Sequence, residues 1–222
     1  MTVKKIIYIK FVNMPISMFQ IPKFRGAIGH QFRDFDILHN HLENDRLAYR
    51  YPSIQYKIIN KKPCIVGFET GRDVLHDVFF DLQTCQIGEH TYTNIEKEIV
   101  EKHCTISQIK ELQTYTFLHP WMALNQKNHQ IYKNSNWVGR KQLLTRILRG
   151  NIMSLSKGMG YTIPHIDDVE IHLDVQEQQR KFKNNSMICF SGKFAVNFEI
   201  PNYLGLGKQT SRGFGTIRKD VQ

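Results

Sequence analysis

Two histidines separated by one residue, His39 and His41, are the side chains in this sequence best suited to acid–base chemistry. In an extended segment, residues i and i+2 project to the same face, so both imidazoles can reach one reacting group. An unperturbed imidazole pKa of about 6.5 lets one ring accept a proton while the other donates one near neutral pH. The pair indicates general acid–base catalysis, although a solvated loop carries the same pattern.

A third histidine, His30, is a rival for the catalytic role. It falls in a predicted helix, where the alternative is a partly buried helix histidine with no role in chemistry. The sequence contains no compact carboxylate cluster of the kind that two-metal nucleases need, so we expect no metal and no cofactor. Four cysteines lack CxxC spacing, which argues against a zinc site or a disulfide framework and fits a reducing cytoplasm.

The segment GLGKQTSRGFG near the C-terminus contains two Gly-x-Gly pairs separated by five polar or basic residues. Glycine permits positive φ and lets the backbone approach a ligand closely, while basic side chains add charge beside the amides. The pattern predicts a phosphate-binding loop, and a long glycine-rich turn is the alternative. It matches neither a Walker loop nor a dinucleotide fingerprint. The candidate residues are Gly205, Gly207, Lys208, Arg212, Gly213 and Gly215.

The charge favours a polyanionic partner over a neutral or acidic one. The chain has 30 basic and 20 acidic residues, a net charge of +10 and a pI of about 9.4. Up to Lys110 there are 15 basic and 12 acidic residues (+3), and beyond it 15 and 8 (+7). Solubility alone is the alternative explanation of this excess. No stretch approaches 18 apolar residues, so we expect no membrane span.

Basic residues also line one side of a predicted helix from about Arg140 to Lys157, opposite a face of leucine and isoleucine. This sequestration suits a track for a nucleic-acid backbone, and a solvated helix face is the alternative. The candidate phosphate contacts are Arg140, Lys141, Arg146, Arg149 and Lys157.

The elements that must position these residues form two similar sets. In the first half we predict a strand, a helix, a hairpin, a second helix and a final strand, which is the order of a ferredoxin-like unit. These elements cover Lys5 to Val12, Ile21 to Phe35, a hairpin turning at Asn60 to Pro63, Thr70 to Leu82, and either Gln86 to Thr93 or Lys97 to Ile106.

The second half repeats the theme, with strands at Tyr115 to Leu124 and Val169 to Val175, a pair covering Met187 to Ile200, and a last strand at Gly215 to Arg218. We therefore expect an α+β fold of two tandem ferredoxin-like (RRM-like) domains, residues 1–108 and 109–222, joined near residues 105–114. No linker rich in Gly, Pro or Ser separates them, so we expect the domains to pack against each other.

Five segments are distributed along nearly the whole chain: KFRGAIGH, LHNHLENDRLAYRYPSIQYK, PWMALNQKNHQIYK, RILRGNIMSLSKGMGY and GLGKQTSRGFGTI. Together they resemble the CRISPR-associated endoribonucleases that process repeat transcripts, in the repeat-associated RNA-binding (RAMP) superfamily. The resemblance implies recognition of CRISPR repeat RNA, one metal-independent cut per repeat by the 2′-hydroxyl, and 2′,3′-cyclic phosphate and 5′-hydroxyl ends. It also implies a tyrosine beside the catalytic His39 and His41, for which Tyr49 is our choice and Tyr51 the substitute.

Three functions remain open at this point: the endoribonuclease, a non-catalytic RNA-binding subunit of a CRISPR effector complex, and a general single-strand RNA chaperone. Partners beyond repeat RNA, namely other effector subunits or a second copy of the chain, are also left open. We expect the protein not to bind a membrane, because neither its catalytic nor its RNA-binding assignments require one.

Overall fold

The computed structural model describes residues 2–38, 50–182 and 185–221, with the side chains of residues 181–185 left aside. The chain divides into two units. The N-terminal unit contains Val3–Cys104 and Ser211–Gly213, and the C-terminal unit contains Met1–Thr2, Thr105–Thr210 and Phe214–Gln222. A short piece of the glycine-rich segment therefore belongs to the N-terminal unit.

The N-terminal unit has the β-α-β-β-α-β order of a ferredoxin-like fold, with a small hairpin added before the last strand. Its strands lie in the spatial order β2-β3-β1-β6. Its elements are β1 (Thr2–Phe11), α1 (Ile21–Gln31), β2 (Ile54–Ile59), β3 (Lys62–Phe68), α2 (Thr70–Asp81), the hairpin β4 (Cys85–Ile87) and β5 (His90–Tyr92), and the first part of β6 (Lys97–Phe117).

Local sequence explains the first helix and hairpin. Pro22 lies in the first turn of α1, where its missing N–H has no cost, and Phe24 and Ile28 point into the core. Between β2 and β3, Asn60 and Lys61 both have positive φ, +50° and +63°, which is the geometry of a tight two-residue hairpin turn. The core aromatic rings pack edge to face, with Phe24 5.1 Å from Phe11 and 5.6 Å from Tyr56 between centroids.

Helix α2 approaches the hairpin closely because two glycines leave room for it. A Cβ on Gly71 would lie 2.7 Å from the carbonyl oxygen of Ser53, and a Cβ on Gly67 would lie 2.6 Å from Cδ1 of Leu75. Neither distance is compatible with a real side chain. The close packing buries Leu75 and Val78 completely.

The C-terminal unit has the spatial strand order β9-β6-β8-β7, which is again that of a ferredoxin-like sheet. Its elements are the rest of β6, α3 (Gln126–Asn134), α4 (Trp137–Gly158), β7 (Ile171–Phe182), β8 (Asn185–Glu199) and β9 (Ile217–Lys219). Between β8 and β9, where a second long helix usually lies, the chain forms the glycine-rich segment with one 3-10 turn at Thr210–Arg212. The predicted fold of two ferredoxin-like units is confirmed.

Asparagines begin both helices of this unit. The side-chain oxygen of Asn125 accepts from the backbone N–H of Asn128 (2.7 Å), and that of Asn136 accepts from Gly139 (3.0 Å). Each bond satisfies an N–H that has no partner within its helix. Across the described parts of the chain, none of the helices combines the length and apolar character needed to cross a membrane.

Two sequence predictions about strands are wrong. The pair predicted between Met187 and Ile200 is the single strand β8, because Gly192 continues the strand at φ +137° opposite Val175 instead of turning it. The strand predicted to begin at Tyr115 is the last part of β6, which starts at Lys97 and ends at Phe117.

Candidate nucleic-acid interface

The predicted catalytic residues His39, His41 and Tyr49 lie outside the described residues, so their roles remain predictions. The residues on either side are well placed in the N-terminal unit. Leu38 is 1% exposed and belongs to its core, and Tyr51 is 9% exposed with its ring 5.9 Å from that of Phe68. The substitute tyrosine, Tyr51, is therefore used in packing.

His30, the rival histidine, lies in the last turn of α1 and is exposed, not partly buried. Nη2 of Arg33 lies 3.1 Å from its Nε2, and Nε of Arg33 donates to the His30 carbonyl at 3.2 Å. A guanidinium can only donate, so Nε2 of His30 is the acceptor and the ring proton of the neutral form lies on Nδ1.

A groove of about 480 Å³ runs between α1 and the β4–β5 hairpin beside His30. The side chains that line it present an ammonium, an imidazole, amides and hydroxyls, which are groups that bind phosphate and ribose. Its polar lining includes Lys23, His30, Gln31, Thr84, Gln86 and Thr91. The groove can therefore accept part of a polynucleotide backbone.

In the glycine-rich segment, Gly207, Gly213 and Gly215 adopt left-handed φ values of +91°, +88° and +62°. Glycine is the residue that tolerates these angles. A Cβ on Gly207 would also lie 2.7 Å from the indole of Trp121, which is fully buried. The fourth glycine, Gly205, is buried and bridges to Thr216.

Several amides of this segment bond to the protein itself. The N–H groups of Leu206, Lys208 and Gly215 donate to the carbonyls of Gly215, Met122 and Pro120, each at 2.9 Å. These three amides are used in the fold, and beside them the exposed Lys208 and the half-buried Arg212 supply basic side chains. The predicted contact with phosphate remains a prediction.

Arg212 shares the N-terminal unit with Arg25 of α1, a residue that the sequence analysis did not select. Burial lowers the pKa of Arg25, and the charge of Arg212 lowers it further. Burial also lowers the pKa of Arg212. The neighbouring Gly213 fixes the position of this turn, since a Cβ there would lie 2.7 Å from Cε of Met18 and 3.2 Å from the Tyr56 carbonyl. Two half-buried guanidinium groups, one of which feels the charge of the other, are an arrangement suited to phosphate.

The hydroxyl of Tyr56 lies in the same cluster. Tyr56 is fully buried, and within the described part of the chain its hydroxyl has no hydrogen-bond partner. Burial raises the pKa of Tyr56, while the charge of Arg25 acts in the opposite direction. Arg212 of this cluster was selected from the glycine-rich segment, and the motif KFRGAIGH is the sequence signal that could have indicated Arg25.

The five basic residues predicted on α4 divide into two groups. Arg140 donates to the carbonyls of Tyr132 (3.0 Å) and Ser135 (3.1 Å) and lies over the Tyr132 ring, and Arg149 donates to the Val169 carbonyl at 3.2 Å and 3.3 Å. These two arginines hold neighbouring segments in place.

Lys141, Arg146 and Lys157 are exposed and can contact a phosphate backbone. The opposite face of α4 is apolar, as predicted, with Leu143, Leu144 and Leu148 buried.

Family models match both halves of the chain. Residues 1–105 match the Cas6b N-terminal domain and residues 107–220 match the Cas6b C-terminal domain. Over 103 residues the chain is 46% identical to an uncharacterised protein of Methanocaldococcus jannaschii, an alignment that covers 46% of this chain and 69% of that protein.

Solved structures agree with the family models. A crystal structure of Cas6b is similar over 99% of this chain and 100% of its own, with a TM-score of 0.92 and 37% identity. A crystal structure of the CRISPR RNA processing endoribonuclease Cas6b has a TM-score of 0.79 and 34% identity over the same shares. A type IV Cas6 crRNA endonuclease shares the fold, with a TM-score of 0.55 at 12% identity over 99% of this chain and 100% of its own. The family resemblance read from the sequence is confirmed, and the chain belongs to the Cas6b family.

Proposed function

We propose that this chain is a metal-independent endoribonuclease that cuts CRISPR repeat RNA. The observation that carries the proposal is the match of both halves to the Cas6b domains, supported by a full-length structural match to a CRISPR RNA processing endoribonuclease. The exposed basic residues of α4 and the arginine pair Arg25 and Arg212 supply the positive charge that an RNA backbone requires.

In the proposed reaction the 2′-oxygen attacks the adjacent phosphorus, and the bond from phosphorus to the 5′-oxygen breaks. One histidine of His39 and His41 takes the 2′-hydroxyl proton, and the other gives a proton to the leaving 5′-oxygen. Tyr49 orients the 2′-hydroxyl or donates to the phosphate. The products carry a 2′,3′-cyclic phosphate and a 5′-hydroxyl.

The arginine pair would hold the backbone in the in-line geometry that this attack needs. A phosphate bound by Arg25 and Arg212 would compensate the burial of both guanidinium groups and the charge of Arg212 that contributes to the lowered pKa of Arg25. In the C-terminal unit, the exposed Lys208 and the exposed basic residues of α4 would contribute further contacts to phosphates. We assign catalysis to the N-terminal domain and most backbone binding to the C-terminal domain.

The first experiment incubates the protein, in excess EDTA, with end-labelled repeat RNA from its own genome. A matched RNA carries one 2′-deoxy substitution at the cut site. We expect one cut that EDTA does not affect and that the 2′-deoxy substitution abolishes. Binding without any product would instead support the non-catalytic RNA-binding subunit, and loss of cutting in EDTA would contradict metal independence.

A second experiment tests the residues. The double variant His39→Ala/His41→Ala should lose cutting and keep its affinity for RNA. Unchanged cutting would contradict this assignment and leave His30 as the candidate catalytic histidine. Arg25→Met should weaken RNA binding, whereas Arg72→Met should not, because Arg72 is a partly exposed arginine of the same unit whose charge is paired with Asp73 at 2.7 Å.

Association with other effector subunits or with a second copy of the chain remains a prediction. Sedimentation of the protein, alone and with repeat RNA, measures directly whether two copies of the chain associate.

A further inference from the structure

The two tryptophans of this chain have opposite environments. Trp121 is fully buried, and its Nε1–H donates to Oδ1 of Asn151 at 3.0 Å. Trp137, the first residue of α4, is 74% exposed. Trp is enriched at binding interfaces, so an indole exposed at a helix end is a candidate contact for a ligand.

A groove of about 410 Å³ begins at the Trp137 ring and runs between α4 and β7. Its apolar wall includes Leu173, Val175 and Phe190. Ligand sites of roughly 300–1,000 Å³ typically combine such walls with a few polar groups, and a planar, mostly apolar group with a charged substituent fits this one.

Several contacts hold the other wall rigid. Arg140 stacks on Tyr132, with its Cζ 4.7 Å from the ring centroid, while its guanidinium bonds to the end of α3. The Tyr132 hydroxyl donates to Oε2 of Glu177 on β7 at 2.9 Å. A wall fixed in this way loses little conformational freedom when a ligand binds.

The helical segment that carries Trp137 is strongly basic, whereas the β7 side of the groove carries the carboxylates Asp174 and Glu177. Between Gln126 and Gly158 there is no acidic residue, whereas seven basic residues occur: Lys127, Lys133, Arg140, Lys141, Arg146, Arg149 and Lys157. Nζ of Lys141 lies 5.6 Å from the centroid of the Trp137 ring. The ammonium group lies over one face of the indole, so the site offers an aromatic ring with a cation on one of its faces.

We propose that Trp137 and Lys141 bind one unpaired nucleotide of the RNA, whose base stacks on the indole and whose phosphate contacts the ammonium. This inference rests on the proposed function, because it takes RNA as the ligand. An aromatic face next to a cation is the combination that single-stranded nucleic acid recognises, since every base has a π face and every nucleotide a phosphate. A protein partner would be expected to cover the neighbouring exposed Val138 and Ile131 equally.

Fluorescence offers a direct test, because the emission that wild type has and Trp137→Phe lacks comes from Trp137. The probe is single-stranded repeat RNA with the 2′-deoxy substitution that prevents cutting. We expect this RNA to quench the Trp137 emission in wild type. Emission that does not change when RNA binds would overturn the proposal.

Affinity provides the second readout. Trp137→Ala should weaken binding about tenfold, equivalent to about 1.4 kcal/mol and within the range for base–aromatic stacking. Trp137→Phe should weaken it less, and the adjacent exposed control Val138→Ala should leave it unchanged. An abasic nucleotide at one position of the RNA should weaken binding to wild type as much as Trp137→Ala does. The same abasic RNA should not weaken binding to Trp137→Ala any further.

Three outcomes count against the site. Unchanged affinity of Trp137→Ala overturns it, and so does an equal loss in Val138→Ala, which would indicate a general apolar patch. A change in the sedimentation of the RNA-free protein on Trp137→Ala would assign this surface to contact between copies. If wild type binds no repeat RNA, the proposed function fails. If wild type binds the RNA but substitution of Trp137 has no effect, only the Trp137 site fails.

Discussion

The backbone N–H of Leu206 donates to the carbonyl oxygen of Gly215 across 2.9 Å. This bond closes the base of the glycine-rich segment, and it brings the Gly215 Cα so near the Leu206 carbonyl that a side chain there would collide with it. Gly215 also has φ +62°. Two independent constraints, backbone conformation and space, thus require glycine at this position.

Gly215→Ala should lower the free energy of unfolding by about 2 kcal/mol or more, because left-handed backbone alone costs a residue with a Cβ roughly 1–2 kcal/mol. Gly150→Ala is the matched control, since a Cβ at that position in α4 meets no atom within 4 Å. Relief of a helical glycine should raise stability by about 0.5–1 kcal/mol. Urea unfolding curves measure both, and effects of the same sign would contradict the explanation.

Arg149 and Arg146 are neighbours on α4 with different roles. Arg149→Gln should lower the free energy of unfolding by about 1–3 kcal/mol, because the Val169 carbonyl loses a charged donor. Arg146→Gln should leave stability unchanged and weaken RNA binding, reducing the slope of log affinity against log salt by about one. Thermal unfolding and binding titrations at several salt concentrations separate the two; equal stability losses would refute the division.

Lys57 on β2 is fully buried, and burial lowers its pKa from 10.5 to about 7. Between these values the unfolded chain binds a proton that the folded protein does not, so stability falls as the pH is lowered from 10.5 toward 7. The slope is at most about 1.4 kcal/mol per pH unit. Unfolding measured from pH 7 to 8.5 should show stability rising with pH in wild type and in the exposed control Lys102→Met, but much less in Lys57→Met.

The thiol of Cys64, whose strand position is paired with Lys57, acts in the opposite direction at higher pH. Burial raises the pKa of Cys64 from 9.0 to about 12. Above pH 9 the unfolded thiol loses its proton while the folded one keeps it, so this contribution falls as the pH rises. In Cys64→Ala, the fall in stability above pH 9 should be smaller than in wild type. An equal fall in both proteins would show that another group causes it.

Asn151 provides the partner of the buried Trp121 N–H. Asn151→Leu leaves that N–H without an acceptor in the apolar interior, which should cost about 1–3 kcal/mol. Ser154→Leu, at an exposed position of the same helix, controls for the effect of leucine on the helix itself. A similar stability for both variants would show that the indole bond contributes little.

Periodicity in the sequence predicted α1, α2 and α4 because each has a regular apolar face, as Leu143, Leu144 and Leu148 show for α4. It could not predict β6 as one strand, since much of its length is polar and exposed. The pair of strands expected between Met187 and Ile200 is one strand that contains Gly192, where a Cβ would lie 2.4 Å from the Asp174 carbonyl oxygen. A glycine in the sequence does not show whether a turn or a closely approaching backbone atom requires it.

The candidate site was predicted unevenly for the same reason. Lys208 and Arg212 were selected from a local pattern of glycines and charges, and their roles remain predictions. Arg25 was not selected because its relation to Arg212 joins residues far apart in the chain, which periodicity does not reveal. The difference between Trp121 and Trp137 likewise depends on tertiary contacts, and nothing in the local sequence distinguishes a buried indole from an exposed one.

The irregular pairing in the middle of β6 has a consequence for protein engineering. Gln108 lies opposite Phe198 and Gln113 opposite Val196, so the stretch between these two glutamines holds more residues than the matching stretch of β8. Such a bulge can change its length while the pairing on either side keeps its register. The exposed Lys110 and Glu111 within it therefore mark a position where a short epitope or a reporter peptide could be inserted without reversing which side chains face the core.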